Sequence, residues 1–123
     1  MGRQETALMV LGEIKTGAID PARFEPDGIW WSNAGFSLSI AEFNGLLGLL
    51  HEQTEAGIAV TPGRVLEVDD TVVIEATSHA MLRNGTRYDN RYAFLFRFED
   101  EVLSEVREYS DTAHVFQTFD LQT

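Results

Sequence analysis

A chain of 123 residues with 44% hydrophobic and 11% aromatic content can bury one core, so 1–123 reads as a single domain. Its formal charge of −11 repels nucleic-acid phosphates, and the lack of cysteine removes disulfides, thiol nucleophiles and cysteine-based metal sites. No apolar run approaches the roughly 20 residues of a membrane helix, and the apolar stretch at the start is too short for a signal peptide, so a cytoplasmic location is expected.

From the N-terminus, Ala7, Val10, Leu11 and Ile14 recur at helical spacing, which predicts an amphipathic helix over about 4–16 stopped by Gly17. Asp20-Pro21 reads as an N-cap followed by proline at the first helical position, opening a short helix through Phe24. After a turn at Asp27-Gly28 comes a short strand, Ile29–Ser32, whose adjacent tryptophans must point to opposite faces. Ser39 and Glu42 have capping-box spacing; the helix they open carries Ile40, Phe43, Leu46, Leu47 and Leu50 on one face and ends at Gly57. Gly45 and Gly48 cost helix propensity, which the close approach of another backbone would explain. A further strand spans Ile58–Asp69 and is bent at Pro62-Gly63.

The rest is a meander of three strands, Thr71–Leu82, Arg87–Phe98 and Val102–Ser110. The middle one alternates strictly, with Tyr88, Asn90, Tyr92, Phe94, Phe96 and Phe98 on one face and arginines and Asp89 on the other. Asn84-Gly85 predicts a two-residue hairpin turn, which pairs His79 with Asn90 and Thr77 with Tyr92. With Asp100 centring the next reversal, Tyr92 faces Glu108 and Phe94 faces Val106. A one-residue slip would instead turn Ala76, Ser78 and Ala80 to the pocket and His79 outward. The order α-α-β-α-β-β-β-β predicts an α+β domain, a cone-shaped, mostly antiparallel sheet wrapped around the helices.

In the two-residue-turn register, one aromatic-lined face holds a carboxylate, an imidazole and a phenol, the ingredients of general acid–base chemistry. Glu108, His79 and Tyr92 are the candidate catalytic residues. Trp30, Ser32, Thr77, Asn90, Phe94 and Val106 are the candidate ligand contacts. Histidines at 51, 79 and 114 are too scattered to suggest a metal cluster, and no cofactor is expected. The arginines at 83, 87, 91, 97 and 107 balance acidic neighbours on the outer face.

The stretch NGTRYDNRYAFLFRFEDEVLSEVREYSDT, with the N-terminal helices, DGIWW and the capped helix, resembles the SnoaL-like branch of the nuclear-transport-factor-2-like superfamily. That branch includes ketosteroid isomerase, limonene epoxide hydrolase and polyketide cyclases. The resemblance implies a cone-shaped barrel, a small apolar organic ligand and a homodimer formed through the sheet. It also implies an isomerase or cyclase acting next to a carbonyl, with Glu108 as base, His79 or Tyr92 as the acid that stabilises the enolate oxygen and Asp111 as the second choice of carboxylate. The hydrolase's last-strand aspartate matches Glu108. The isomerase's general-base position falls at or near Ser32, its oxyanion-hole aspartate on Phe94 and its helical tyrosine near Val10. The hydrolase's Arg-x-Asp pair falls on Glu75 and Thr77, or on Ala76 and Ser78 in the slipped register. Neither residue set is complete, which leaves a non-catalytic binding or dimerisation module as the alternative.

Overall fold

The computed structural model describes residues 2–121. Helix α1 (Arg3–Glu13) buries Ala7, Val10 and Leu11 and runs into a single 3₁₀ turn, Ile14–Thr16, closed by Gly17 as the spacing predicts. The Asp20 side chain accepts from the Ala22 amide and caps a second such turn, Pro21–Arg23. Strand β1 (Phe24–Ser32) is longer than expected, because Asp27-Gly28 lies inside it as a break in pairing between Phe24 and Ile29. A four-residue strand with no signal in the sequence pattern, β2 (Phe36–Ser39), pairs antiparallel with β1.

The capping box forms: Ser39 Oγ accepts from the Glu42 amide at 3.1 Å, and Glu42 Oε1 from the Ser39 amide at 2.9 Å. The helix it opens, α2 (Ile40–Glu52), stops short of Gly57. No backbone approaches Gly45 or Gly48; a Cβ at either would meet nothing within 4 Å. These two glycines simply cost helix propensity, roughly 1 kcal/mol each against alanine.

Strands β3 (Ala59–Val68), β4 (Thr71–Met81), β5 (Arg87–Glu99) and β6 (Val102–Ser110) complete a six-stranded sheet in the order β2-β1-β6-β5-β4-β3. Every pairing is antiparallel except β1 with β6. A third helix, α3 (Thr112–Thr118), follows β6, where the periodicity predicts none. This is the predicted α+β cone. No helix among the described residues is long and apolar enough to cross a membrane.

On β5 the alternation holds: Tyr88, Asn90, Phe94, Phe96 and Phe98 are buried and Tyr92 is half-buried. Each buried phenylalanine contributes about 1.5–3 kcal/mol. The β4–β5 register is slipped by one residue from the two-residue-turn expectation. His79 pairs with Asp89, Ser78 with Asn90 and Ala76 with Tyr92. The hairpin has a three-residue loop, Arg83-Asn84-Gly85: Leu82 bonds to Thr86 across it, and only Gly85 takes a positive φ, 87°. Outside contacts hold this loop, since the Arg83 amide bonds to Gln53 O and Leu82 bridges to Thr54.

From Arg97 back to Tyr92 the β5–β6 register differs by two, so those side chains keep their predicted face: Phe94 pairs with Glu108, Phe96 with Val106 and Tyr92 with Ser110. Nearer the turn the shift is one, and Leu103 instead of Val102 lies opposite Phe98. An extra residue near Ser104 is absorbed between the Arg97 and Phe98 pairings. The β3–β4 and β5–β6 reversals place Asp69 and Asp100 in the left-handed region, at φ 54° and 55°. The Arg3 guanidinium donates to both their carbonyls, at 3.1 Å to Asp69 and at 2.8 and 3.0 Å to Asp100, and sits over the Phe98 ring.

Candidate functional site

The inner face of the sheet and the apolar side of α2 border a partly open cavity of about 80 Å³. Aligned pairings bring Ser32, Glu108, Phe94 and Ile74 into one row across β1, β6, β5 and β4. Trp30 lies one pleat further along β1, stacked on Phe43 of α2 at 3.9 Å with its edge toward Phe94. Trp30, Ser32, Tyr92, Phe94 and Glu108 all line the cavity.

Among the described residues, Glu108 is the only carboxylate in that lining. Its Oε1 accepts from the Trp30 indole N–H at 2.9 Å, and its second oxygen has no hydrogen-bond partner among the described residues. By surface it is half-buried, and it borders the cavity. Desolvation pushes the carboxyl above its ordinary pKa range, and the Trp30 bond pulls partly back. A carboxylate moved toward neutrality with one oxygen anchored is suited to exchanging a proton with a ligand.

Beside it runs a chain of hydroxyls. Asn90 Nδ2 donates to Tyr88 Oη at 2.8 Å, Tyr88 and Tyr92 Oη are 2.8 Å apart, and Tyr92 Oη is 2.8 Å from Ser78 Oγ. Three hydroxyl protons serve two O···O links, so one proton remains to be donated elsewhere. Tyr88 and Tyr92 both border the cavity, so an acceptor placed there can draw that proton from either. Burial raises both phenols, Tyr92 well above its ordinary value, so they remain protonated donors.

The remaining candidates fall elsewhere. Val106 is fully buried behind the cavity, and Asn90 sits one layer back, orienting Tyr88 and bonding the backbone at Asp111. Thr77 and His79 are exposed on the outer face, where with Thr61, Asp89 and Arg91 they line a separate open cleft; the one-residue slip put them there. His79 Nδ1 lies 2.6 Å from Asp89 Oδ1, and this bond, with Arg87 nearby, holds the Asp89 carboxyl below its ordinary range. Asp111 is the N-cap of α3, its Oδ1 taken by the His114 amide. Tyr88 and Ser78 join the site without having been candidates; for Ser78 the slipped register is the signal that points to it. Among the described residues no group of His, Asp and Glu could hold a metal ion.

No family model matches the sequence, and no curated protein matches it significantly. Solved structures do. A Jannaschia sp. CCS1 protein provisionally named a SnoaL-like polyketide cyclase superposes with TM-score 0.78 at 19% identity, covering 98% of this chain and 93% of its own. AclR from Streptomyces galilaeus, provisionally assigned as a hydroxylase, gives 0.76 at 15% identity over 94% and 82%. A Catenulispora acidiphila protein with a ketosteroid isomerase-like fold, in complex with trimethylamine, gives 0.74 at 20% identity over 94% and 92%.

Proposed function

From a chain with the nuclear-transport-factor-2-like fold seen in SnoaL-like proteins, we propose an isomerase or cyclase that moves a proton next to a carbonyl of a small, largely apolar molecule. The observation that carries this is one carboxylate among the described lining residues, raised by desolvation, in a largely apolar cavity with a spare hydroxyl proton beside it. Glu108 takes the proton from the carbon next to the carbonyl. The C–H electrons become the C=C bond of an enolate, and the carbonyl oxygen receives the negative charge under the Tyr88 or Tyr92 hydroxyl. Returning the proton to another carbon completes an isomerisation. Attack of the enolate carbon on an internal carbonyl, with the resulting alkoxide taking the proton, completes an aldol cyclisation.

The test needs no knowledge of the natural substrate. Small cyclic ketones and 1,3-diketones are incubated in D2O, and deuterium uptake next to the carbonyl is followed by NMR. Uptake that depends on Glu108 is expected. Binding without protein-dependent uptake for any compound overturns the reading in favour of a non-catalytic binding module. Phe94 beside Glu108 favours that second reading, because it leaves Glu108 without an acidic partner in its row.

A homodimer through the outer face of the sheet is part of the same proposal. Trp31, Arg107, Leu95, Val73 and Leu66 form one outward row across five strands, with the Arg107 guanidinium 3.9 Å from the Trp31 ring. The protein is expected to sediment as a dimer, and Leu95→Glu as a folded monomer. A monomeric parent protein at every concentration measured removes this part.

A further inference from the structure

The open cleft on the outer face gathers polar groups that the fold does not use. Two cross-strand rows build it: Thr61 of β3, Thr77 of β4 and Arg91 of β5 in one, and Ala59, His79 and Asp89 in the next. Neighbouring strands lie about 4.8 Å apart and alternate residues about 7 Å, so the two rows cover a patch of roughly 10 by 7 Å. The cleft above them holds about 400 Å³, within the range of small-ligand sites and larger than the inner cavity. Ala59, the smallest side chain of the six, leaves room beside His79.

Much of the hydrogen-bonding capacity in this cleft is unspent. The Thr61 and Thr77 hydroxyls, both exposed, have no partner among the described residues. Neither does the Arg91 guanidinium, although every other arginine of the chain bonds to a carboxylate, a carbonyl or a hydroxyl. With 20 acidic residues against 9 basic ones, an arginine that meets no carboxylate and no other oxygen is the exception to explain.

His79 adds a nitrogen to this set. Asp89 Oδ1 lies 2.6 Å from His79 Nδ1, and Asp89 Oδ2 takes Arg87 at 3.2 Å, which fixes the carboxylate from both sides. These two bonds keep the Asp89 carboxyl ionised, so it only accepts, and the proton between the pair sits on Nδ1. Nε2 is then the nitrogen left over, and it has no partner among the described residues.

Charge and protons narrow the ligand to one class. A chain at −11 repels anions at long range, but that field is screened over about 8–10 Å, and at the cleft Arg87 and Arg91 outnumber Asp89. Glu75, the next outward residue of β4, is drawn to Arg64 at 3.6 Å. We propose that this cleft binds a phosphate group, as the free ion or at the end of a phosphomonoester. The Arg91 fork takes two phosphate oxygens, the threonine hydroxyls donate to the remaining ones, and His79 Nε2 shares the ionisable proton. Near neutrality a phosphomonoester exists both with and without that proton, so it satisfies Nε2 as donor or as acceptor. A carboxylate brings no proton and would set an anion against the Nε2 lone pair. The cleft lies on the opposite face of the sheet from Glu108, so the inference is independent of the chemistry assigned there.

The test is an NMR titration of the whole protein at pH 7 and constant ionic strength, with inorganic phosphate, methyl phosphate and dimethyl phosphate as probes. Saturable shifts at Thr61, Thr77, Arg91 and the His79 ring are expected with the first two. Tighter binding of methyl phosphate would mark a monoester as the natural ligand, and tighter binding of inorganic phosphate the free ion. Dimethyl phosphate has no ionisable proton near neutrality and should bind at least tenfold more weakly. Arg91→Gln is expected to weaken phosphate binding at least tenfold and Thr77→Val several-fold. Both side chains are exposed and unbonded, so melting temperatures should stay where they are. Shifts that never saturate, saturation at other arginines, equal binding of the diester, or undiminished binding by Arg91→Gln each overturn the proposal. If Arg91→Gln does not fold, Thr77→Val decides, and parental affinity in that variant overturns it. None of these readings requires turnover, so they stand apart from the deuterium-uptake test.

Discussion

Glu108→Gln is expected to slow deuterium uptake into a ketone by about 10²–10⁴-fold, the usual worth of a positioned general base. Glutamine keeps an oxygen for the Trp30 indole, so the cavity keeps its shape and affinity for an unreactive ketone should stay within about threefold. A variant as fast as the parent would remove Glu108 from the reaction. Stability should move the other way, and the sign follows from the raised carboxyl. Below the unfolded-state pKa, Glu108 is protonated in both states and costs nothing. As pH rises through the raised folded-state value, the folded state must give up a proton that the unfolded chain has already lost, and stability falls. Each tenfold difference in proton affinity between the folded and unfolded carboxyl costs about 1.4 kcal/mol at high pH. Thermal melts should therefore show Glu108→Gln more stable than the parent at pH 8, with the difference closing toward pH 4. A constant difference across that range would mean that Glu108 titrates as it does in the unfolded chain.

Gly57→Ala is expected to be the most damaging small substitution in the chain. Gly57 turns the backbone from α2 toward β3 at φ 83°, and an added Cβ would overlap the Lys15 carbonyl oxygen and touch the His51 ring. Left-handed strain costs about 1–2 kcal/mol and the collision about 1–3 more. Against a total stability of about 5–15 kcal/mol, the melting temperature should drop by roughly 10 °C or more. Gly85→Ala is the matched control: φ is 87° but nothing lies within 4 Å, so only the strain remains. Equal melting temperatures for the two variants would show that the contact with Lys15 relaxes without cost.

Why Glu108 can be placed from the sequence, and His79 cannot, comes down to parity. The β5–β6 reversal shifts by one at the turn and by one more at the added residue near Ser104, and the even total leaves Val106 and Glu108 on their predicted face. The β4–β5 hairpin shifts by one, which turns Thr77 and His79 out and brings Ser78 to the tyrosines. Asn84-Gly85 cannot announce this. The third loop residue is held by Gln53 and the neighbouring pair by Thr54, contacts from a distant segment. The helices with local signals are legible: Gly17, the Asp20 cap and the Ser39–Glu42 box all sit where their chemistry demands. Helix α3 has a signal too, an Asp at its N-cap, but Asp111 reads equally well as a reactive carboxylate just past a strand. The Trp30–Glu108 bond joins residues 78 apart, and nothing local encodes it.

Arg3 reaches the carbonyls of two strand reversals that lie 66 and 97 residues away along the chain. Its bonds can form only after both hairpins have closed, so they belong to the native side of the folding barrier. Removing them should leave the refolding rate nearly untouched and speed unfolding, which stopped-flow measurements on Arg3→Ala would display as a shift in one arm of the chevron alone. A slower refolding arm would instead place the clamp in the nucleus. On the first account, the N-terminal helix acts as a brake on opening: the last piece to dock sets how long the folded molecule lasts.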